Sequence, residues 1–365
     1  MKSFWAHIII LVLCINQSIA QTDSTSLRPY KNNILPSPAL SYSPKTDVVL
    51  GLYFLYQFKF DKKDYDTRPS NINFYVGSSY KGQNYLSSEH TLLTNQEKFY
   101  FKGLIEYKTY PEKLYPIGGN SNNNDYVNAE YQSLEIKERI LNKLRNNVFV
   151  GGRFRFISIY DLKYTSPEGK PLDQISLPGA DGGQYLGIGP MFMWDKRNSI
   201  MTPTKDFYFD VSTMYYLIDV SSESFFTIEV DGRKYYDLTA DTKNVLAIQL
   251  LIKNTFGDVP FHEFALMGGN KMLRGYELGR FRDFHSIQSQ AEYRKHLIGR
   301  FGATAFIGLG VVYDEISDFQ YLKAALGGGL RFNINRKDPA NVRVDFGWGI
   351  ADNNKGIYIT LGEAF

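Results

Sequence analysis

Cysteine is close to missing: Cys14 is the single one in 365 residues. Leu13 precedes it where a lipoprotein processing site wants a small residue, so lipidation there is not expected. Around it lie Lys2, an apolar run from Ile8 to Ile15, and Ser18-Ile19-Ala20 before Gln21. A basic start, a short apolar core and a small-x-small site predict a secretory signal over 1–20, followed by a short periplasmic segment over 21–33. The apolar run is too short to cross a bilayer as a helix, and no second run long enough follows it. Without the leader no Cys remains, which excludes disulfides, thiol nucleophiles and Cys-ligated metals even in an exported chain. An excess of one charge is also lacking. The net charge is +3 with no Lys/Arg block, which argues against nucleic acid as a partner. Histidines are few and scattered (His7, His90, His262, His285, His296), never at metal-ligand spacing. No metal and no cofactor are expected. There is no internal repeat of solenoid or propeller length.

What the chain does have is aromatic residues, at 15% of the total, with Gly common among them. Tyr and Phe favour strands and collect at membrane interfaces. Apolar residues recur with period two. In GIYITLGEAF, Ile357, Ile359, Leu361 and Phe365 share a face, while Gly356, Tyr358, Thr360, Gly362 and Ala364 share the other. In VRVDFGWGI, Val342, Val344, Phe346, Trp348 and Ile350 oppose Arg343, Asp345, Gly347 and Gly349. FGATAFIGLGVVYD, YLKAALGGGLRFNI and DFYFDVSTMYY repeat the pattern. Such alternation predicts strands with one apolar face.

A soluble sandwich and a membrane barrel both use half-apolar strands. The barrel turns the apolar face to lipid and fills its interior with polar and small groups. Three features favour the barrel. The alternating segments exceed the usual soluble strand. The chain is too long for one ordinary sandwich, yet no linker divides it. It also ends in Phe365, an aromatic C-terminal signal of the kind outer-membrane barrels carry. Segments fall near 34–42, 46–58, 70–80, 84–94, 97–109, 126–140, 147–162, 184–195, 205–218, 224–236, 242–254, 286–297, 300–313, 320–334, 341–350 and 355–365. The expectation is an all-β, transmembrane antiparallel β-barrel of about sixteen strands, an even number as in bacterial barrels, over 34–365. Pro36 and Pro38 in the first segment suit only its start or an exposed edge. With both ends in the periplasm, the long connections 110–125, 163–183 and 255–285 fall outside, and short ones such as 95–96, 298–299 and 335–340 fall inside. Connections 59–69 and 196–204 are longer than that rule prefers.

One stretch breaks the alternation. MLRGYELGRF, residues 272–281, has neither helical nor strand periodicity and lies in the longest non-alternating gap of the second half. With Met267-Gly268-Gly269 before it, its Arg274-Gly275-Tyr276 resembles the loop motif of the BamA/TamA superfamily, the outer-membrane assembly and translocation barrels of bacterial-surface-antigen type. Ala291-Glu292-Tyr293-Arg294 resembles that family's Glu-Tyr-Arg strand. Val342-Arg343-Val344-Asp345-Phe346-Gly347 resembles its Arg-x-Asp-aromatic-Gly strand. Trp194-Asp195-Lys196-Arg197 with Pro203-Thr204-Lys205 resembles its Asp-x-Arg turn.

The resemblance implies that the loop folds into the lumen and that its Arg meets inner-wall acids. Alternation puts Glu292, Arg294, Arg343 and Asp345 on the lumenal side, and Glu292 and Asp345 are the expected partners of Arg274. Gly275 would turn the backbone where a Cβ clashes. Tyr276 would pack on the inner wall and reach a polar partner with its hydroxyl. Family members often carry a further inward carboxylate where this chain has Gly308. Periplasmic POTRA domains are also expected in that family, and 21–33 leaves no room for one, so the sequence predicts a barrel alone.

An outer-membrane enzyme needs a Ser/His or Asp/His constellation. His262, Asp283 and His285 flank the long loop, but their spacing supplies no nucleophile. Gly187-Ile188-Gly189 matches part of a nucleotide fingerprint yet lies on a strand with no helix after it. The reading is therefore a non-enzymatic, multi-pass outer-membrane barrel surrounded by outer-membrane lipid. By resemblance it would assist insertion or translocation of polypeptide or lipid. Its partners would be unfolded outer-membrane proteins or a separate periplasmic protein, and a weakly paired seam between first and last strands would be its working part. The alternative is a passive pore or structural barrel plugged by the Arg-Gly-Tyr loop.

Overall fold

A computed structural model describes residues 29–365 apart from 174, 219–223 and 336–339. The expected signal peptide and most of the 21–33 segment lie outside the described residues. Sixteen long antiparallel strands close into one barrel. They are β1 Asn33–Ser43, β2 Asp47–Phe58, β3 Ser70–Ser79, β4 Asn84–Leu93, β5 Phe99–Thr109, β6 Val127–Arg145, β7 Val148–Thr165, β8 Gly183–Asp195, β9 Asp206–Ile218, β10 Ser224–Asp237, β11 Asn244–Gly257, β12 His285–Ile298, β13 Phe301–Tyr313, β14 Lys323–Asn335, β15 Ala340–Gly349 and β16 Asn354–Leu361.

Each strand pairs with its neighbour in sequence, and the two faces sort as the alternation requires. Along β15, Val344, Phe346 and Trp348 are exposed outward, while Arg343 and Asp345 are buried inside. Along β13, Ile307 and Leu309 look out and Thr304 and Phe306 look in. Inverting such a stave would place charge in lipid and grease in a polar lumen, so register is fixed by the pattern itself.

Two differences from the sequence expectation have physical causes. The expected segments at 126–140 and 147–162 are longer in the structure, reaching Arg145 and Thr165, and they meet at Asn146 and Asn147, with Asn147 at φ 64. The run Lys137 to Arg145 hides its period under six charged or amide side chains, although Ile140 and Leu144 on it are exposed outward. The expected last strand, 355–365, is shorter. It stops at Leu361; Gly362 takes φ +85, and the tail turns inward. Phe365, assigned to the outer apolar face by alternation, is instead 5% exposed and stacks on the Tyr235 ring at 6.2 Å.

The closure is uneven. β1 pairs with β2 along its whole length, from Asn33 opposite Gln57 to Ser43 opposite Asp47. Its other side meets β16 at one register pair among the described residues, Tyr42 with Ile359. Pro36 and Pro38 therefore sit on a strand whose second side is free, where a missing N–H breaks no ladder.

The face assignment makes a measurable distinction. Ile307→Arg, at mid-strand on the outer face, should cost about 2–4 kcal/mol in a denaturant titration of the barrel in phospholipid vesicles. On a soluble sandwich an exposed Ile at this site would be replaceable at almost no cost.

Candidate functional site

The 258–284 connection between β11 and β12 is the candidate site, because it runs through the barrel rather than over it. Its stem is a short hairpin, Ala265–Met267 paired with Phe281–Asp283. At the tip, Gly268 and Gly269 take φ of 100 and 106, and the Gly269 N–H donates to the Tyr276 carbonyl at 2.9 Å. That tight turn drives Arg274 toward the wall.

Arg274 is 1% exposed. Its Nη1 donates to Asp345 Oδ2 at 2.7 Å, and its Nη2 donates to Glu292 Oε2 at 2.6 Å and to Gln290 Oε1 at 3.4 Å. The guanidinium lies 3.5 Å from the Phe306 ring centroid, which closes its remaining face with a cation–π contact. Glu292 comes from β12 and Asp345 from β15, so one side chain ties two staves to the loop. Charge-assisted bonds of this length in a dry site are the strong class of hydrogen bond.

Gly275 follows at φ 124 and lies flat against β15, where an added Cβ would overlap the backbone of Trp348 and Gly349. Gly347 and Gly349 form the matching shelf: a side chain on the first would strike the Arg274 backbone, and on the second the Tyr276 ring. The Gly275 N–H donates to Tyr358 Oη at 2.9 Å. The Tyr276 hydroxyl donates to the Ala324 carbonyl at 3.0 Å and accepts from the Ala351 N–H at 2.9 Å. A Cβ built on Gly308 would lie 3.6 Å from Leu273 Cγ, so the position without the family's carboxylate is where the loop comes close.

Arg343 and Arg294 do not touch Arg274; each braces one of its acids. Arg343 donates to Asp345 at 2.7 Å and to the Asn270 carbonyl at 2.7 Å. Arg294 donates to Glu292 at 2.7 Å, to the Pro203 carbonyl at 3.2 Å and to the Phe365 carbonyl at 3.0 Å. Sequence reasoning missed four members, Gln290 among them. Arg331 joins Asp345 at 2.5 Å to Glu363 at 2.8 Å, and Phe306 supplies the ring. Phe306 carried a signal, since it is the large ring on an inward face otherwise made of small residues. Glu363 carried none, because the alternation ran on past Gly362.

A second anchor lies upstream in the loop. Phe261 and Phe264 are fully buried against Tyr131, Ile159, Tyr185 and Phe225. Between them Glu263 accepts from Arg155 at 2.5 Å, and Arg155 also donates to Glu135 at 2.6 Å. Arg280 holds the connection before β6 through the Ser121 carbonyl at 2.7 Å and Asn123 Oδ1 at 2.5 Å. His262 packs edge-on to Tyr185 at 4.6 Å, His285 lies against Phe256 and Tyr313, and the Asp283 carboxylate accepts from the Phe284 N–H. At the opposite end of the barrel Arg197 forks onto Asp195 at 2.8 and 3.0 Å.

A closed sixteen-stranded transmembrane barrel is thus the class of protein. The Omp85 superfamily domain matches residues 51–365, and the chain belongs to that superfamily. Among solved structures it is similar to BamA from Haemophilus ducreyi lacking POTRA domains 1–3, at TM-score 0.58 and 12% identity over 91% of this chain and 70% of that one. CdiB from Acinetobacter baumannii is similar at TM-score 0.57 and 11% identity, over 91% and 65%. CdiB from Escherichia coli is similar at TM-score 0.53 and 9% identity, over 92% and 68%. No curated protein sequence matches the chain.

Arg274→Ala removes the cation that ties the loop to Glu292 and Asp345 while Arg294, Arg331 and Arg343 stay on those acids, so the stability lost should fall below the roughly 3–5 kcal/mol of a fully uncompensated buried charge. The expected readout is a lower temperature for the shift from folded to unfolded mobility on gels. Arg274→Lys should recover part of it, because an ammonium cannot span Glu292 and Asp345 with a planar fork. Unchanged unfolding of Arg274→Ala in detergent would remove the loop from its structural role.

Proposed function

We propose that the protein resides in the outer membrane as a multi-pass barrel and assists insertion or translocation of polypeptide or lipid there, without catalysis of its own. The observation that carries this reading is the seam. A barrel normally abolishes its strand edges by closing. Here β1 is left with a free side over most of its length, and the tail after Leu361 bends away from it. Unpaired N–H and C=O groups on an edge are a template for an incoming strand. Similarity to BamA and CdiB barrels supports the same class of role. A passive pore is the less favoured reading, because the space a pore needs is taken by the buried loop and its side chains. In this reading clients reach the seam through a separate periplasmic partner.

A photo-crosslinking residue at Leu40 tests the reading in growing cells. The expected result is capture of unfinished outer-membrane polypeptides, abolished when Tyr42→Cys and Ile359→Cys lock the seam by a disulfide. Large steady channels from the intact protein in planar bilayers, with no captured chain, would favour the pore instead. Deleting 268–283 should open conductance under either reading and so calibrates the bilayer assay.

A further inference from the structure

The outward face is not evenly filled. Across β8 to β11 it carries a notch of about 620 Å³, within the roughly 300–1,000 Å³ of ligand pockets. Reading across the registers, Trp194 lies opposite Phe209, Phe209 opposite Gly232, and Gly232 opposite Leu250. Gly232 is the gap in that row of large side chains. A Cβ built on it meets nothing closer than the edge of the Phe209 ring at 3.8 Å. Neither backbone crowding nor a left-handed φ requires glycine there, so the gap is open space.

The walls are apolar, from Phe192, Phe207 and Phe209 on one side to Ile248 and Leu250 on the other. Toward the strand ends nearest the C-terminus the chemistry changes. Lys234, two residues beyond Gly232, holds its ammonium 5.6 Å from the Phe207 ring. Lys196 holds its own 5.7 Å from the same ring and 5.5 Å from that of Trp194. Neither ammonium has a carboxylate partner among the described residues. Two cations converge on one ring at the mouth of an apolar slot. This is the layout of a membrane interface, where aromatic rings and lysines meet headgroups.

We propose that this notch binds one anionic phospholipid of the leaflet facing the chain ends. An acyl chain lies against Gly232 between the aromatic wall and Leu250, and the phosphate sits between Lys196 and Lys234. Free inorganic phosphate would use the lysines alone and leave the apolar slot unoccupied. The inference rests on the barrel's residence in a membrane.

The test inserts the purified barrel into vesicles of phosphatidylethanolamine and phosphatidylglycerol, extracts it gently, and counts retained lipid by native mass spectrometry. Wild type should keep one phosphatidylglycerol through activation that strips phosphatidylethanolamine. Gly232→Trp, which fills the slot, and the pair Lys196→Gln with Lys234→Gln should each lower that retention about tenfold. Val344→Trp, on the outer face of β15, serves as the control and should retain it. The lysine pair alters no sheet geometry, so it decides the matter if Gly232→Trp does not fold. Inorganic phosphate in excess should not displace the lipid; displacement would reduce the site to its two lysines. Failure of wild type to enter vesicles would sink the membrane reading. Entry with equal lipid retention in all variants would sink the notch alone.

Discussion

The guanidinium of Arg274 is 1% exposed, and a cation out of water must recover its lost hydration from its surroundings. It does so from two carboxylates on different staves, an amide oxygen and the face of a ring. Each of those groups is positioned by an alternation that was already required for the lipid face. The loop adds the geometry: Gly275 and the shelf of Gly347 and Gly349 let backbone meet backbone, so the short stem can reach the wall. A buried ion pair is weak evidence for net stability. What the geometry gives is a single seat for the loop: displaced, Arg274 leaves both carboxylates and would stand buried without an acid.

The cluster around Arg274 does not end at the loop. Arg331 touches Asp345 on one side and Glu363 on the other; Arg294 touches Glu292 and the Phe365 carbonyl. Those two arginines therefore join the acids that hold the loop to the tail that leaves the seam. The inward turn after Leu361 has its own partners, and β1 loses a neighbour where that turn begins. Loop position and seam geometry are set by the same charges. Four guanidinium groups (Arg274, Arg294, Arg331, Arg343) face three carboxylates (Glu292, Asp345, Glu363), so moving any one shifts the balance at the others. Groups in one such network couple and do not add independently.

The barrel was legible in the sequence because its strands obey one rule over ten or more residues. Lipid outside and polar lumen inside leave a period-two signal that no turn obscures. Legibility failed where that pressure lapses. β6 and β7 run on through stretches rich in charged and amide side chains, and those ends look like loop. The tail from Gly362 keeps the alternation but not the strand, which misplaced Phe365 and hid Glu363. Within the site, Glu292, Asp345, Arg343 and Arg294 could be set on the lumenal side by counting residues from the strand ends. Charge alone then named Glu292 and Asp345 as the acids for Arg274. Nothing in the spacing said that Arg294 would brace the first and Arg343 the second. The Phe261–Phe264 anchor was invisible for a different reason: its partners come from β6 to β10, and contacts across a lumen leave no local period.

The barrels it resembles share 9 to 12% of its residues, yet the fold similarity spans more than nine-tenths of this chain. The two figures agree once the demands on each position are separated. An outward site asks only for an apolar side chain of some size, because lipid packs against any of them. Most inward sites ask only for a small or polar one. Within this chain a position is tightly constrained where a shape or a charge has one solution: a fork that spans two carboxylates, a glycine whose Cβ has nowhere to go, an acid at the far stave. Such positions are few, and they lie far apart in the chain at 274–276, 292 and 343–347. The arrangement of charge inside the cylinder carries most of the information, and that arrangement is spread over strands the sequence does not place side by side.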